Sequence, residues 1–183
     1  RYHVSAHRLE LDVRLRAAIR GVPAERVALS LPGWDVEEVG PAGVVDAAAV
    51  SVEDGEIVIP FFQPLVGDVV VELRCSQVVD RSHDTIHWTT PVPQADLVGP
   101  GNVVITSDTD IELVPDNELI EGMSRQVATS LDRAGGDLLR MAYRVEATEA
   151  IFAATRRFLS RQIDASVAAQ VDVSATALSV NQV

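Results

Sequence analysis

Lysine is missing altogether. All 15 basic residues are Arg, against 27 acidic ones, for a formal charge of −12. A chain this acidic is repelled by phosphate backbones and anionic membrane surfaces, and no basic stripe offsets the repulsion, so nucleic-acid binding is disfavoured. Cysteine is almost missing too. Cys75 stands alone, which excludes an internal disulfide, and its phase with Val69, Val71 and Leu73 marks it as a small buried apolar group. No apolar run approaches the roughly 18 residues of a membrane span, so no membrane insertion is expected. Aromatic residues make up only 4% of the chain although 47% is hydrophobic, so the core is expected to be built mainly from Val, Leu, Ile and Ala. At 183 residues the chain is long enough for one large domain or two small sandwiches.

Recognisable catalytic motifs are also lacking. There is no GxSxG, nothing in the sequence places His3, His7, His83 or His87 beside a particular serine, and Gly99-Pro100-Gly101 puts a proline where a phosphate loop needs N–H donors. The expectation is a protein that is not an enzyme.

What the sequence has in abundance is alternation. From Ile163 to Ala177 the odd positions are Ile, Val and Ala, whereas most even positions are polar. That period of two predicts one strand, or two broken near Ala168 to Gln170. Leu9, Leu11, Val13, Leu15, Ala17 and Ile19 share a face, with Glu10, Asp12, Arg14 and Arg16 opposite for pairing with neighbouring strands. Gly21 to Pro23 is expected to end that strand and Pro64 to Asp68 to turn the chain again. Asp54-Gly55 between two β-rich runs predicts a hairpin. Strands are also expected at Arg26 to Leu31, from Trp34, at Val69 to Cys75, around Trp88, within Asn102 to Val114, and at Leu138 to Val145. Ala150 to Leu159 fits helix and strand about equally and is read as strand because strands flank it. One short helix is expected near 118–131, capped by Asp116-Asn117.

About ten short strands separated by turn signals predict a mostly β protein, an antiparallel β-sandwich of immunoglobulin-like or larger type. The expected organisation is a sandwich over 1–160. Residues 161–183 supply the final strand or strands and can open a following module. Beginning at Arg1 inside strand-like sequence, the chain reads as an excised piece of a longer protein, with a location outside the cytoplasm weakly favoured.

Two side-chain sets are candidates for binding. Trp34 and Trp88 are candidate stacking platforms for a carbohydrate or anchors for a partner, although each sits beside a residue of a buried phase (Val36, Ile86) and a core this poor in aromatics favours central packing for both. Asp108, Asp110, Glu112 and Asp116 form the densest acidic cluster and suit calcium, though the mid-loop glycine of an EF-hand is absent. His83 and His87 are spaced for zinc on a helix, but on a strand they lie about 13 Å apart. The functional expectation is a non-catalytic structural or interaction module, with other domains of the same chain or a separate protein as partner. A carbohydrate- or calcium-binding module is the alternative, and an accessory domain of an enzyme the second alternative.

Overall fold

The computed structural model describes residues 1–80, 82–126, 140–159, 169–173 and 178–182. Strands β1 (Tyr2–Val4), β2 (Arg8–Ser30), β3 (Asp35–Gly40), β4 (Ser51–Glu53) and β5 (Glu56–Val78) come first, with one 3-10 turn at Ala47–Ala49. β2 and β5 are each 23 residues long and pair antiparallel from Arg8↔Val78 to Ser30↔Glu56. Straight, such a ribbon spans about 76 Å, far beyond a domain of this size, whose radius of gyration is about 16 Å.

The ribbon therefore doubles back. Only five residues run from Ser30, which faces Glu56, to Asp35, which faces Ser76. Five residues reach at most about 18 Å, so the two ends of the ribbon meet. The bend lies where the register slips, between Ile19↔Gly67, Ala24↔Leu65 and Arg26↔Pro60. Gly21 and Gly67 have φ of 77° and 99° there, a region that favours glycine. The expected stops at Gly21 to Pro23 and Pro64 to Asp68 are thus corners inside two continuous strands. Glycine and proline at a bulge let a strand turn without ending.

The Asp54-Gly55 hairpin is present. Both residues have positive φ (49° and 81°), as a type I′ turn requires, and β4 pairs with β5 through Val52↔Ile57. A Cβ on Gly55 would stand 2.7 Å from Pro32 Cα, so glycine is needed for space as well as for conformation.

The remaining strands are β6 (Thr85–Thr89), β7 (Val92–Pro93), β8 (Gly101–Ser107), β9 (Ile111–Pro115), β10 (Met123–Gln126), β11 (Arg140–Val145) and β12 (Ile151–Phe158), then β13 (Ala169–Val173) and β14 (Leu178–Gln182). The main sheet runs β10-β11-β8-β1-β2-β5-β3, with β4 and β7 added on the returning halves of β5 and β2; β6-β12-β9 completes the facing layer. The protein is a mostly-β sandwich of about twelve strands. Among the described residues its pairings are antiparallel except for β1 with β8, which is parallel. Among the described residues β13 and β14 pair only with each other, so the late alternation gives two antiparallel strands, the first described from Ala169. Residues 163–168 of that stretch lie outside the described residues.

The helix expected near 118–131 is not there in its described part. Asp116 caps a tight turn instead, its carbonyl accepting from the Leu119 and Ile120 amides and its carboxylate from the Glu118 amide. Gly122 then takes φ 69°, pressed so close to Glu149 that a Cβ would lie 2.6 Å from the carbonyl oxygen. Met123–Gln126 continues as β10 against Val145 to Ala142. Apolar spacing of three and four matched a helix, but the glycine breaks it; 127–131 lie outside the described residues.

Five of the eight aromatic residues form a continuous chain of rings through the core. Trp34 meets Tyr2 edge-on at 5.8 Å, Tyr2 meets Trp88 at 4.9 Å, Trp88 meets Phe152 at 4.7 Å, and Phe152 meets Tyr143 at 5.5 Å. Tyr2 and Tyr143 come from one layer, Trp88 and Phe152 from the other, so few rings suffice to join the layers. On the wet face of the ribbon the expected charge pairing is realised. Arg74 bridges Asp12 (3.5 Å) and Glu38 (3.2 Å), Arg14 meets Glu72 (3.4 Å), and Arg8 pairs with Glu37.

Candidate functional site

Trp34 and Trp88 are 5% and 4% exposed. Their ring faces are taken by Tyr2 and Phe152, so neither is a platform for a sugar. Trp34 directly precedes an edge strand and Trp88 occupies the inward phase of β6 with Ile86; in a protein with so few rings, both were needed inside. The Tyr2 hydroxyl and Trp88 Nε1 are buried beside one another without closing a well-formed hydrogen bond. Burial pushes the Tyr2 phenol well above its usual range, opposed only in part by the indole N–H.

The acidic set is not assembled. Asp108 and Asp110 sit at the turn between β8 and β9, and the Asp108 carboxylate is engaged with His3 at 3.1 Å. Glu112 turns towards Arg157 at 3.7 Å. Asp116 lies at the far end of β9, where its side chain caps the next turn. Alternation along a strand spreads these carboxylates apart instead of wrapping them round an ion. Among the described residues no group of three or more His, Cys, Asp and Glu side chains is arranged to hold a metal. His83 lies in the exposed loop before β6, close to Ser82 and Asp80, whereas His87 is exposed on the strand itself. Cys75 is fully buried and its thiol is pushed up to about 11 by desolvation, which removes it as a nucleophile.

The structure does place a histidine between a carboxylate and a hydroxyl. His3 on β1 has Nε2 3.1 Å from Asp108 Oδ1 and Nδ1 3.1 Å from Thr106 Oγ1. The order of groups matches that of a nucleophile, a base and an orienting acid, but the chemistry does not follow. Thr106 is only 4% exposed and its hydroxyl donates to the Tyr2 carbonyl oxygen at 3.1 Å, so the oxygen has no path to a substrate. The arrangement is a clasp that closes the parallel β1–β8 pair. With 103 residues between its members, no local pattern announces it.

A second arrangement absent from the sequence reading is Arg156. It occupies the inward phase of β12 with Phe152 and Ala154 and is 1% exposed. Its guanidinium donates to the carbonyl oxygens of Ala6 (3.3 Å), Asp80 (2.7 Å) and His83 (2.6 Å). It thereby fastens the β1–β2 turn and the loop before β6 to the same end of the sandwich. Its role is structural, a charge held by backbone dipoles.

Val78, Leu97, Leu119, Phe158 and Leu159 are exposed singly or in short pairs, and two further surface features bear on binding. A shallow, open depression of about 410 Å³ lies along Val114, Pro115, Asp116, Asn117, Glu118 and Thr155, too open to enclose a small molecule. At the ribbon bend three apolar side chains stand in solvent: Val22 is 82% exposed, Phe62 63% and Val66 59%. The register brackets Val22 opposite the Leu65–Gly67 segment, so Val22 and Val66 share the bend, and Phe62 lies one turn of the bulge away beside Val44.

No family model, no curated protein and no solved structure matches this chain.

Proposed function

We propose that this chain is a non-catalytic β-sandwich module of a larger protein, acting in structural support or protein interaction, and that it works by surface complementarity. The observation that carries this reading is the exposed apolar group at the ribbon bend, Val22, Phe62 and Val66. Large apolar side chains gathered at one end of a charged domain mark a surface that another protein covers. The partner is another domain of the same chain or a separate protein. A net charge of −12 speaks against nucleic acid or an anionic membrane as that partner.

The test is a photo-crosslinking residue at position 62 in the full-length protein. A discrete crosslinked partner, lost when Val22 and Val66 are changed to Ser, is the expected result. A crosslinker that captures nothing above an exposed control position such as Glu53 would remove the bend as an interaction surface.

A further inference from the structure

The outer face of the returning ribbon is apolar, unlike the charged outer face of the main sheet. Along β5 the run from Ile57 to Phe62 carries no polar side chain. Ile57, Ile59 and Phe61 are buried in the core, while Val58, Pro60 and Phe62 alternate with them and turn outwards, Phe62 being 63% exposed. A strand with one wet face alternates apolar and polar residues, whereas an unbroken apolar run belongs to a strand covered on both faces. The main-sheet half of β5 keeps the alternation, with Glu72 and Arg74 outside and Leu73 and Cys75 inside. The returning half does not. Glu56 ends its apolar strip on one side, and Val22 and Val66 at the bend extend it on the other.

The charges beside this strip differ as well. Pro60 has Arg26 of β2 on one side and Asp46 on the other: Arg26 is its register partner, and the Asp46 amide donates to its carbonyl oxygen at 3.0 Å. Residues opposite each other in a ladder share a face, so Arg26 and Asp46 flank the strip, two strand spacings or about 10 Å apart. Arg26 is exposed and Asp46 partly so, and neither has an ion-pair partner among the described residues. On the main sheet, by contrast, Arg8, Arg14 and Arg74 all meet carboxylates within the molecule. One row towards Glu56, Ala28 and Ser51 stand on either side of Val58, small enough for another surface to approach closely.

We propose that a second copy of this chain covers the strip, the two sheets packing face to face about a twofold axis that runs along β5. Such an axis exchanges left and right but keeps height along the strand, so Phe62 meets Phe62 and Val58 meets Val58. It also sets Arg26 of each protomer against Asp46 of its partner, which gives every one of these unpaired charges an opposite. A twofold axis across the strands would set Arg26 against Arg26 instead. Packing within about 30° of aligned is the ordinary way for one apolar sheet face to cover another. The strip is small and stops at Glu56, so the association is weak, with a Kd on the order of 10–100 μM. The inference rests on the interaction reading above and names the partner.

The test is sedimentation equilibrium of the full-length protein from about 5 to about 500 μM, where a reversible monomer–dimer equilibrium is expected. Arg26→Asp or Asp46→Arg alone brings like charges together at both contacts and should weaken association about tenfold or more. The double exchange, Arg26→Asp with Asp46→Arg, restores both pairs and should return Kd to within about threefold of the original. Phe62→Asp should abolish association. Buried emission from Trp34 and Trp88 checks that each variant is folded. A monomer across the whole range, a dimer indifferent to Phe62→Asp, or a double exchange no better than the single ones would overturn the proposal. If the protein stays monomeric while position 62 crosslinks to a different protein, only the self-association inference falls; if nothing associates and nothing crosslinks, the interaction reading falls with it.

Discussion

The two ends of this sandwich are built from opposite materials. At the end held by Arg156, the loops rest on a guanidinium with three carbonyl partners and on rings packed 4.7 to 5.8 Å apart, with Phe152 fully buried. At the ribbon bend there is no described aromatic contact, and Val22, Phe62 and Val66 stand mostly in solvent. The same two strands pass through both ends, so strand propensity is not what differs. Both ends expose apolar side chains, Val78, Phe158 and Leu159 at the Arg156 end and Val22, Phe62 and Val66 at the bend; what differs is that among the described residues only the first has a fully buried guanidinium beneath them. Fully burying one such apolar side chain is worth about 1.5–3 kcal/mol, which the isolated domain forgoes at the bend.

If that contrast is right, mutations at the closed end should be far more costly. Phe152→Ala removes the ring between Trp88 and Tyr143 and should destabilise the fold by about 4 kcal/mol in urea unfolding. Arg156→Met keeps the stem but removes the buried guanidinium that three partly buried carbonyl oxygens accept from, and about 2 kcal/mol of loss is expected. Arg156→Lys should recover only part, because one ammonium does not reproduce the planar fork. Losses below about 1 kcal/mol for both Phe152→Ala and Arg156→Met would mean the aromatic chain is not the centre of stability.

Alkaline pH separates the ends more gently, since the groups with raised values all lie in the packed region. Burial holds the Cys75 thiol at about 11 against an ordinary 9.0, and raises the Tyr2 and Tyr143 phenols as well. The folded state keeps protons that the unfolded chain releases. Stability is thus whole below pH 9 and falls as pH rises through about 11, by on the order of 2–3 kcal/mol for the thiol alone. Cys75→Ala should flatten the first part of that fall in unfolding curves taken from pH 8 to 11. An unchanged slope in the variant would exclude the thiol as its source.

The closed end was only partly legible in the sequence. Alternation marked nearly every strand, and Asp54-Gly55 located its hairpin, because both signals are local. The inward phase beside Trp34 and Trp88 was legible as central packing, but which ring meets which depends on strands far apart in the chain. Arg156 was invisible as a buried group, since a charged residue in an alternating run ordinarily faces water and its carbonyl partners lie 73 to 150 residues away. The bend misled differently. Gly21 to Pro23 carries the residues that end strands, and the same residues also bend them; only pairing with β5 on both sides of the corner decides between the two.

The smallest expected effect sharpens the contrast most. Phe62→Ser and Val66→Ser remove apolar surface that is already 63% and 59% exposed, so each should change stability by no more than about 0.5 kcal/mol. Replacing an exposed apolar group by a hydroxyl leaves no cavity and strands no buried polar atom. Val66→Ser, combined with Val22→Ser, should nonetheless abolish the crosslink from position 62, because there the lost contact is with the partner. A loss of 2 kcal/mol or more in the isolated domain would show that Phe62 and Val66 support the fold itself, and the bend would then be a second core of the sandwich and not a surface held open for another protein.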